Sequence, residues 1–329
     1  MSKRSPFWRP FSARTPLGYA IAGFFNTEPS RHYGSLRVTH VDGQLPRPYV
    51  LPGLPEAARA EPSARGGALP AAALVDLRAV ERADGTLVGF YPLFDGEGAL
   101  VEVLARTRDT VIVQDTPWRP LAALTARARH AGIEEAVRRQ RGIFVFQLVG
   151  LANPRLVRYP FELKFVLQQV VRGTGRTAAP YGQVRGWANQ YGLDLPATLA
   201  QFDPRLDAAA RELPALEQRW LAPGAEPGAL PSSGALLWAS ERAAATLLDL
   251  PAVRRDDAAG VSPVHVWDAM ARLADRGEAP TREVVAAALA RDLPGATRAG
   301  MEAAIAAAWE RWACRYPEAL ASAAVPVAV

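Results

Sequence analysis

The sequence of 329 residues predicts an α+β fold, with a mixed N-terminal region that contains a small antiparallel sheet and an all-helical C-terminal domain. Three observations support this prediction. Short alternating apolar segments, separated by turn residues, fill the chain up to about residue 116. Helical patterns dominate from about residue 196 onward, and a stretch rich in Pro and Gly interrupts them at 222–234.

These patterns divide the chain into four parts. We expect a mixed α/β region at 1–190, a helical connection at 191–221, a linker at 222–234 and a helical domain at 235–329. The composition, with 49% hydrophobic and 22% charged residues, is typical of a globular protein that buries a core.

The first strands are predicted from alternation. Residues 35–41 alternate apolar and polar side chains, and Asp42-Gly43 is a pair of residues that favours a turn. Residues 49–51 could form the returning strand, and the prolines around them restrict it to a sheet edge.

A β-meander is predicted for the next part of the chain, residues 73–116. Turn residues at Asp84-Gly85, at 95–98 and at Arg108-Asp109 recur at a spacing of about 10 residues, which favours an antiparallel sheet. The four predicted strands are 73–81, 87–94, 99–105 and 110–114.

The middle of the chain mixes helix and strand signals. The predicted elements are a helical stretch at 117–140 interrupted near Gly132, an apolar strand at 143–151, a segment at 161–171 that fits strand or helix, and a short helix at 183–191 that Gly192 ends.

Four helices are predicted for the C-terminal domain, at 235–250, 262–276, 281–292 and 296–315. Ser262 and Thr281 are suitable N-caps, and Gly277 is a stop signal. The last three helices are compatible with a helix-turn-helix, and equally with a bundle that serves packing or a protein partner.

Several protein classes are excluded at this stage. No apolar run is long enough to span a membrane, and the N-terminus lacks the pattern of a signal peptide. Cys314 is the only cysteine, which excludes an intrachain disulfide and a cysteine-based zinc site. We expect a cytoplasmic protein, and because no dinucleotide or P-loop fingerprint occurs, no cofactor.

The strongest signal is a segregation of charge. Residues 118–187 hold 12 basic and 3 acidic side chains, a net charge of +9, whereas the whole chain has only +5. Such a segment favours binding to the phosphates of nucleic acid, and aromatic residues within it could stack on unpaired bases. The alternatives are charge pairing within the protein or with an acidic partner, and a solvated helix face. The predicted nucleic-acid-binding residues are Arg127, Arg129, Arg138, Arg139, Arg141, Arg155, Arg158, Arg172, Arg176, Arg185, Tyr181 and Trp187.

A second pattern suggests catalysis. Glu162-Leu163-Lys164 resembles the Glu-x-Lys element of metal-dependent nucleases of the PD-(D/E)xK type, and Asp115, after an apolar run, could supply the second carboxylate. The resemblance implies that the carboxylates bind a metal ion and that the lysine assists the attacking water. The alternative, which needs no catalytic site, is a surface Glu and a Lys that caps local structure.

The sequence therefore predicts a nucleic-acid-binding protein without catalysis, and the expected context is a larger nucleoprotein complex of a plasmid, phage or defence system, of which it would be a subunit. Its expected partners are DNA or RNA and other protein subunits, without a membrane. The alternatives are a metal-dependent nuclease that uses Asp115, Glu162 and Lys164, and an adaptor for an acidic protein.

Overall fold

Three β-sheets and six helices form the part of the chain that the computed structural model describes. It covers residues 7–28, 33–43, 47–54, 57–59, 74–153, 155, 157, 159–172, 177–202, 234–251 and 261–315. None of the helices within these residues is long and apolar enough to cross a membrane.

The first sheet is an antiparallel meander in the order β1-β2-β3-β4. Leu36 and Val38 of β3 are buried while Arg37 between them is exposed, as the alternation predicted. Asp42 and Gly43 both have positive φ and end β3, which agrees with the predicted turn. The strands are β1 (Trp8–Arg14), β2 (Ala20–Asn26), β3 (Leu36–Val41) and β4 (Tyr49–Leu51).

Two further sheets form the centre of the molecule. The second has the order β10-β9-β7-β8 and the third the order β11-β6-β12-β13-β5. Their strands are β5 (Ala58–Arg59), β6 (Asp76–Glu81), β7 (Thr86–Phe94), β8 (Leu100–Arg106), β9 (Ile143–Val149), β10 (Lys164–Val171), β11 (Thr198–Phe202), β12 (Gly234–Ser240) and β13 (Ala245–Pro251).

The predicted fold class is wrong in its C-terminal half. Residues 235–250, expected as a helix, form the antiparallel pair β12 and β13, and β12 also pairs with β6. Every residue of β12 is buried, and a fully buried strand has no alternation that distinguishes it from a buried helix. Residues 222–233 of the predicted linker lie outside the described residues.

The predicted meander at 73–116 is also wrong in its pairing. β6 and β7 follow each other in the chain but belong to different sheets, since β6 pairs with β11 and β12 while β7 pairs with β8 and β9. Asp84-Gly85 is therefore a crossing between sheets and not a hairpin turn. A Cβ on Gly85 would lie 2.3 Å from the carbonyl oxygen of Leu148, so this crossing requires glycine.

Three helices cover the central sheets. Ile133, Ala136 and Val137 of α2 pack into the core that β7 and β9 also line. The αL conformation of Gly192 ends α3, as predicted. The helices are α1 (Leu121–Ala128), α2 (Ala131–Gln140) and α3 (Tyr181–Tyr191).

The last three helices share a core of their own. Trp267, Met270 and Leu289 are buried together, and Val157 from the loop after β9 joins them. The hydroxyl of Thr281 accepts a hydrogen bond from Val284 N at 3.3 Å, as expected of an N-cap. These helices, which the periodicity predicted, are α4 (Pro263–Asp275), α5 (Arg282–Asp292) and α6 (Arg298–Arg315).

A buried arginine joins the first sheet to the second. Arg106, at the end of β8, is fully buried, and its guanidinium donates to the carbonyl oxygens of Gly34 and Pro52. Burial lowers its pKa to about 10, against a weaker opposing effect of Tyr91. Arg106 therefore fixes the first sheet against β8, shortly before Arg108 and Asp109 in the chain.

Candidate functional site

A cleft of about 670 Å³ lies between the ends of the central strands and helix α4. Its volume is within the range of small-molecule sites. Its walls carry many charged side chains of both signs, contributed by the β6–β7 crossing, the end of β8, the loop after β9, β13 and α4. The charged lining residues are Arg82, Asp84, Arg108, Asp109, Arg155, Asp249, Asp268, Arg272, Asp275 and Arg276.

The crossing at 82–86 forms one wall of the cleft. Asp84 is buried, and its carboxylate accepts a hydrogen bond from Val157 N at 2.7 Å. Its backbone N–H donates to the hydroxyl of Tyr159, also at 2.7 Å. Burial raises the pKa of Asp84, and the charge of Arg155 opposes this effect. The crossing is thus held rigidly against the loop that carries Arg155.

Two nearly buried arginines meet at the start of β7. Arg119 Nη1 and Arg155 Nη2 donate to the hydroxyl of Thr86 at 3.1 and 3.2 Å. Asp275, the last residue of α4, forms ion pairs with both guanidinium groups. Burial lowers the pKa of Arg155, but the nearby charges of Asp275 and Asp84 more than offset this and raise it overall. Asn153 completes the cluster by donating to Thr86 at 3.2 Å.

The ion pairs of three other cleft arginines are more exposed to solvent. Arg82 Nε lies 2.9 Å from Asp249 of β13, and Arg276 Nε lies 2.8 Å from Glu278. Arg272 bonds Asp268 within α4 at 3.1 Å and Asp292 of α5 at 2.6 Å. Among the described residues that line the cleft, the cationic groups are guanidinium groups.

Tyr33 and its neighbours form the opposite rim of the cleft. The Tyr33 hydroxyl donates to Asp109 at 2.6 Å, and the guanidinium of Arg108 lies 5.1 Å from the centre of the Tyr33 ring. Burial, together with the hydrogen bond to Asp109, raises the pKa of Tyr33 to about 12, so the phenol is neutral at physiological pH. Deeper in the cleft, Gln147 Nε2 donates to Gln168 at 2.7 Å.

Metal ligands are sparse in this arrangement. Within the described residues, no group of three or more His, Cys, Asp or Glu side chains is arranged to hold a metal ion. Asp249, Asp268 and Asp275 each form an ion pair with an arginine. Asp109 accepts from the Tyr33 hydroxyl, so these carboxylates already have partners within the protein.

Of the predicted nucleic-acid-binding residues that the structure describes, Arg155 lines the cleft and the others lie elsewhere on the surface or in the core. Arg138 and Arg139 are exposed and lie 3.8 and 3.7 Å from Glu134 and Glu135, one turn earlier on α2. Arg185 is exposed on α3.

The other predicted arginines that the structure describes have partners within the protein. Arg127 pairs with Glu162, Arg129 with Glu134, and Arg172 lies 4.3 Å from the centre of the Trp187 ring. Arg141 adopts the αL conformation at the end of α2, with its guanidinium 5.4 Å from the centre of the Phe94 ring. Arg158 and Arg176 lie outside the described residues.

The two predicted stacking residues are part of the core. Tyr181 and Trp187 on α3 are 3% and 7% exposed, and the Tyr181 ring contacts Trp238 edge-on. Their burial leaves little ring surface for a nucleic-acid base, so the aromatic residues in this sequence segment serve the packing of α3.

The predicted nuclease residues do not converge. Asp115 accepts hydrogen bonds from Ala122 N and Ala123 N at the start of α1, at 2.7 and 3.2 Å. Glu162 pairs with Arg127, and Lys164 Nζ lies 3.4 Å from Asp194. Each of the three thus has a local structural partner, and none of them lines the cleft.

Several solved structures share this fold over nearly the whole chain. Two forms of an archaeal ATP-dependent RNA ligase have a TM-score of 0.54 at 15% identity and cover 94% of this chain and 72% of theirs. A putative ATP-dependent DNA ligase from Aquifex aeolicus has a TM-score of 0.50 at 9% identity, covering 95% of this chain and 75% of its own. No protein-family model matches the sequence, and no curated protein matches it.

This fold corrects the function expected from the sequence. The proteins that share it are described as ligases, which are enzymes, and not as non-catalytic binding proteins, PD-(D/E)xK nucleases or adaptors. Among the cleft residues, Arg155 was predicted as a site residue. The sequence indicated only a turn at Asp84-Gly85, and for α4 a helix-turn-helix or a packing helix. The available signal was the concentration of Asp and Arg on α4, at 268, 272, 275 and 276.

Proposed function

We propose that this protein is an ATP-dependent enzyme that acts on RNA or DNA, and that the cleft binds the nucleotide. The fold of ATP-dependent ligases extends over nearly the entire chain, which supports this class of activity. The cleft provides the volume and the polar lining that a nucleotide requires.

The observation that carries the proposal is the convergence of arginines on the cleft. Arg82, Arg108, Arg155, Arg272 and Arg276 all line it, although they come from distant parts of the chain. The guanidinium group is planar, permanently charged and able to donate two parallel hydrogen bonds to a phosphate. Arginine is therefore suited to bind the phosphates of ATP and of a nucleic-acid end.

These arginines also define a chemical role. ATP-dependent joining requires transfer of a phosphoryl or nucleotidyl group, and fixed positive charges stabilise the charge that spreads over that group. A guanidinium stays protonated and does not act as a nucleophile. Lys3 and Lys164 are the only lysines in the sequence, and Lys164 is paired with Asp194 away from the cleft. We therefore assign the cleft arginines to binding and charge stabilisation.

The test is ATP cleavage in the presence of nucleic-acid ends. The full chain would be incubated with ATP, magnesium and either RNA or nicked DNA that carries a 5′-phosphate. We expect the nucleic acid to stimulate cleavage at least about tenfold, and Arg82→Ala to lose most of this rate because it removes a cleft cation. Release of pyrophosphate would indicate nucleotidyl transfer, and release of ADP phosphoryl transfer.

The controls separate the cleft from the surface and identify any covalent step. Arg139→Ala, on the exposed face of α2, should cleave ATP at the wild-type rate. With ATP labelled at its α-phosphate, we expect no label on the denatured protein, since the cleft cations are guanidinium groups. Cleavage that neither RNA nor DNA stimulates would overturn the proposed function.

A further inference from the structure

We propose that Arg119, Arg155 and Thr86 form a phosphate-binding site at one end of the cleft, and that the carboxylate of Asp275 occupies this site in the present structure. The identification of the phosphate as part of a nucleotide rests on the proposed function. The site itself rests on the geometry of these four residues.

The first argument is the convergence of donors. Arg119 is 2% exposed, yet its Nη1 and Arg155 Nη2 point to one hydroxyl, that of Thr86, at 3.1 and 3.2 Å. Two guanidinium groups repel each other, so their burial at one point requires an anion between them. Asp275 supplies that anion by pairing with both.

The second argument is that Asp275 leaves donors unused. Arg119 Nε and Nη2 and Arg155 Nε are buried and have no hydrogen-bond partner within the described residues. A carboxylate offers two oxygen atoms, whereas a terminal phosphate offers three in a tetrahedral arrangement. A phosphate would therefore satisfy more of these donors than the side chain that now accepts from them.

The third argument is the balance of charge. Asp84 also lies close to Arg155. Its carboxylate accepts a hydrogen bond from Val157 N, which holds the Asp84 side chain against the loop after β9. Asp84 opposes one of the two guanidinium charges, and Asp268 acts on Arg155 as well. Asp275 is the carboxylate that pairs with both arginines, so it is the one whose place a phosphate would take. The site accordingly holds one of these two anions at a time.

The position of Asp275 permits the exchange. It is the final residue of α4, and Gly277 two residues later adopts a positive φ of 75°. Its side chain is 20% exposed, unlike the buried arginines that it contacts. Departure of the carboxylate therefore requires a movement of one side chain at a helix end, with the core of α4–α6 intact.

Inorganic phosphate and pyrophosphate are suitable probes of the site. Asp275→Asn keeps the size of the side chain and removes its charge, so the anion no longer competes with a carboxylate. By titration calorimetry, we expect the full-length variant to bind pyrophosphate at least about tenfold more tightly than the wild type does. Its melting temperature should be low in chloride and should rise more in phosphate of equal ionic strength than that of the wild type.

Two further variants make the result specific. Glu135→Gln removes an exposed carboxylate that pairs with Arg139 on α2, away from the cleft, and should leave pyrophosphate affinity unchanged. Asp275→Asn combined with Arg155→Lys should lose the gain, because lysine cannot replace the bidentate guanidinium. An equal gain in Glu135→Gln, or no gain in Asp275→Asn, would overturn the proposal.

The test is decisive even if Asp275→Asn is unstable. A variant that folds in phosphate but not in chloride supports the site, and one that stays unfolded in both contradicts it. ATP binding by the wild type is measured separately. If the wild type binds ATP and Asp275→Asn gains nothing, only this inference fails; if the gain occurs without any binding of ATP, only the proposed function fails.

Discussion

Two groups of arginines in this protein differ in what surrounds them. On α2, Arg138 and Arg139 keep 46% and 72% of their side-chain surface exposed and lie beside glutamates of the same helix. In the cleft, Arg119 and Arg155 keep 2% and 8%, and they share Asp275, which is more than 100 residues away in the sequence. The first group follows one helix, whereas the second joins three parts of the chain.

The difference teaches that the density of charge in a sequence does not locate a site. Charges on an exposed helix are hydrated and interact weakly with each other and with their neighbours. Charges that the fold removes from water interact strongly, and the fold must supply a partner for each. The +9 segment at 118–187 contains both groups, so its charge density does not show which of its arginines the fold buries.

The largest effect on stability is expected for Arg155→Ala. Removing this guanidinium leaves the buried carboxylate of Asp84 without the nearby positive charge of Arg155. It also removes one of the two ion pairs of Asp275. Breaking a buried pair in this way costs about 3–5 kcal/mol of unfolding free energy. Urea denaturation of the full chain measures the loss, and a loss below about 1 kcal/mol would place Arg155 with the surface arginines.

A much smaller effect is expected for Arg139→Ala. This side chain is largely exposed, and its pair with Glu135 is of the i,i+4 type on a helix surface. Such pairs contribute about 0.3–0.5 kcal/mol, and the contribution decreases in high salt. The same denaturation series, repeated at two salt concentrations, checks this value. If Arg139→Ala lowered the free energy of unfolding as much as Arg155→Ala does, the exposed and the buried arginines would not differ in their contribution to stability.

The elements with a clear local signal could be predicted from sequence. The alternation of β3, the stop at Gly192 and the cap at Thr281 all depend on neighbouring residues, and the structure contains each of them. The strand β12 could not be predicted, because burial on both faces leaves its sequence without the alternation of a half-buried strand. The missed strands led directly to the wrong all-helical C-terminal domain.

The cleft could not be predicted for a different reason. Its central contact joins Arg119 to Asp275 across 156 residues of sequence, and no local pattern records such a pair. The Asp84-Gly85 pair is visible in the sequence, but its role depends on the close approach of Gly85 to Leu148 of another strand. Tertiary packing, and not any property of the segment itself, converts this turn into a wall of the cleft.

Titration calorimetry with ATP tests most directly whether the cleft is the functional site. Three proteins would be compared: the wild type, Arg82→Ala in the cleft, and the exposed triple variant Arg138→Ala, Arg139→Ala and Arg141→Ala on α2. We predict that the wild type and the triple variant bind ATP equally and that Arg82→Ala binds at least about tenfold more weakly, because a phosphate loses a charge-assisted hydrogen bond. Weaker binding by the triple variant, with Arg82→Ala unaffected, would contradict the account.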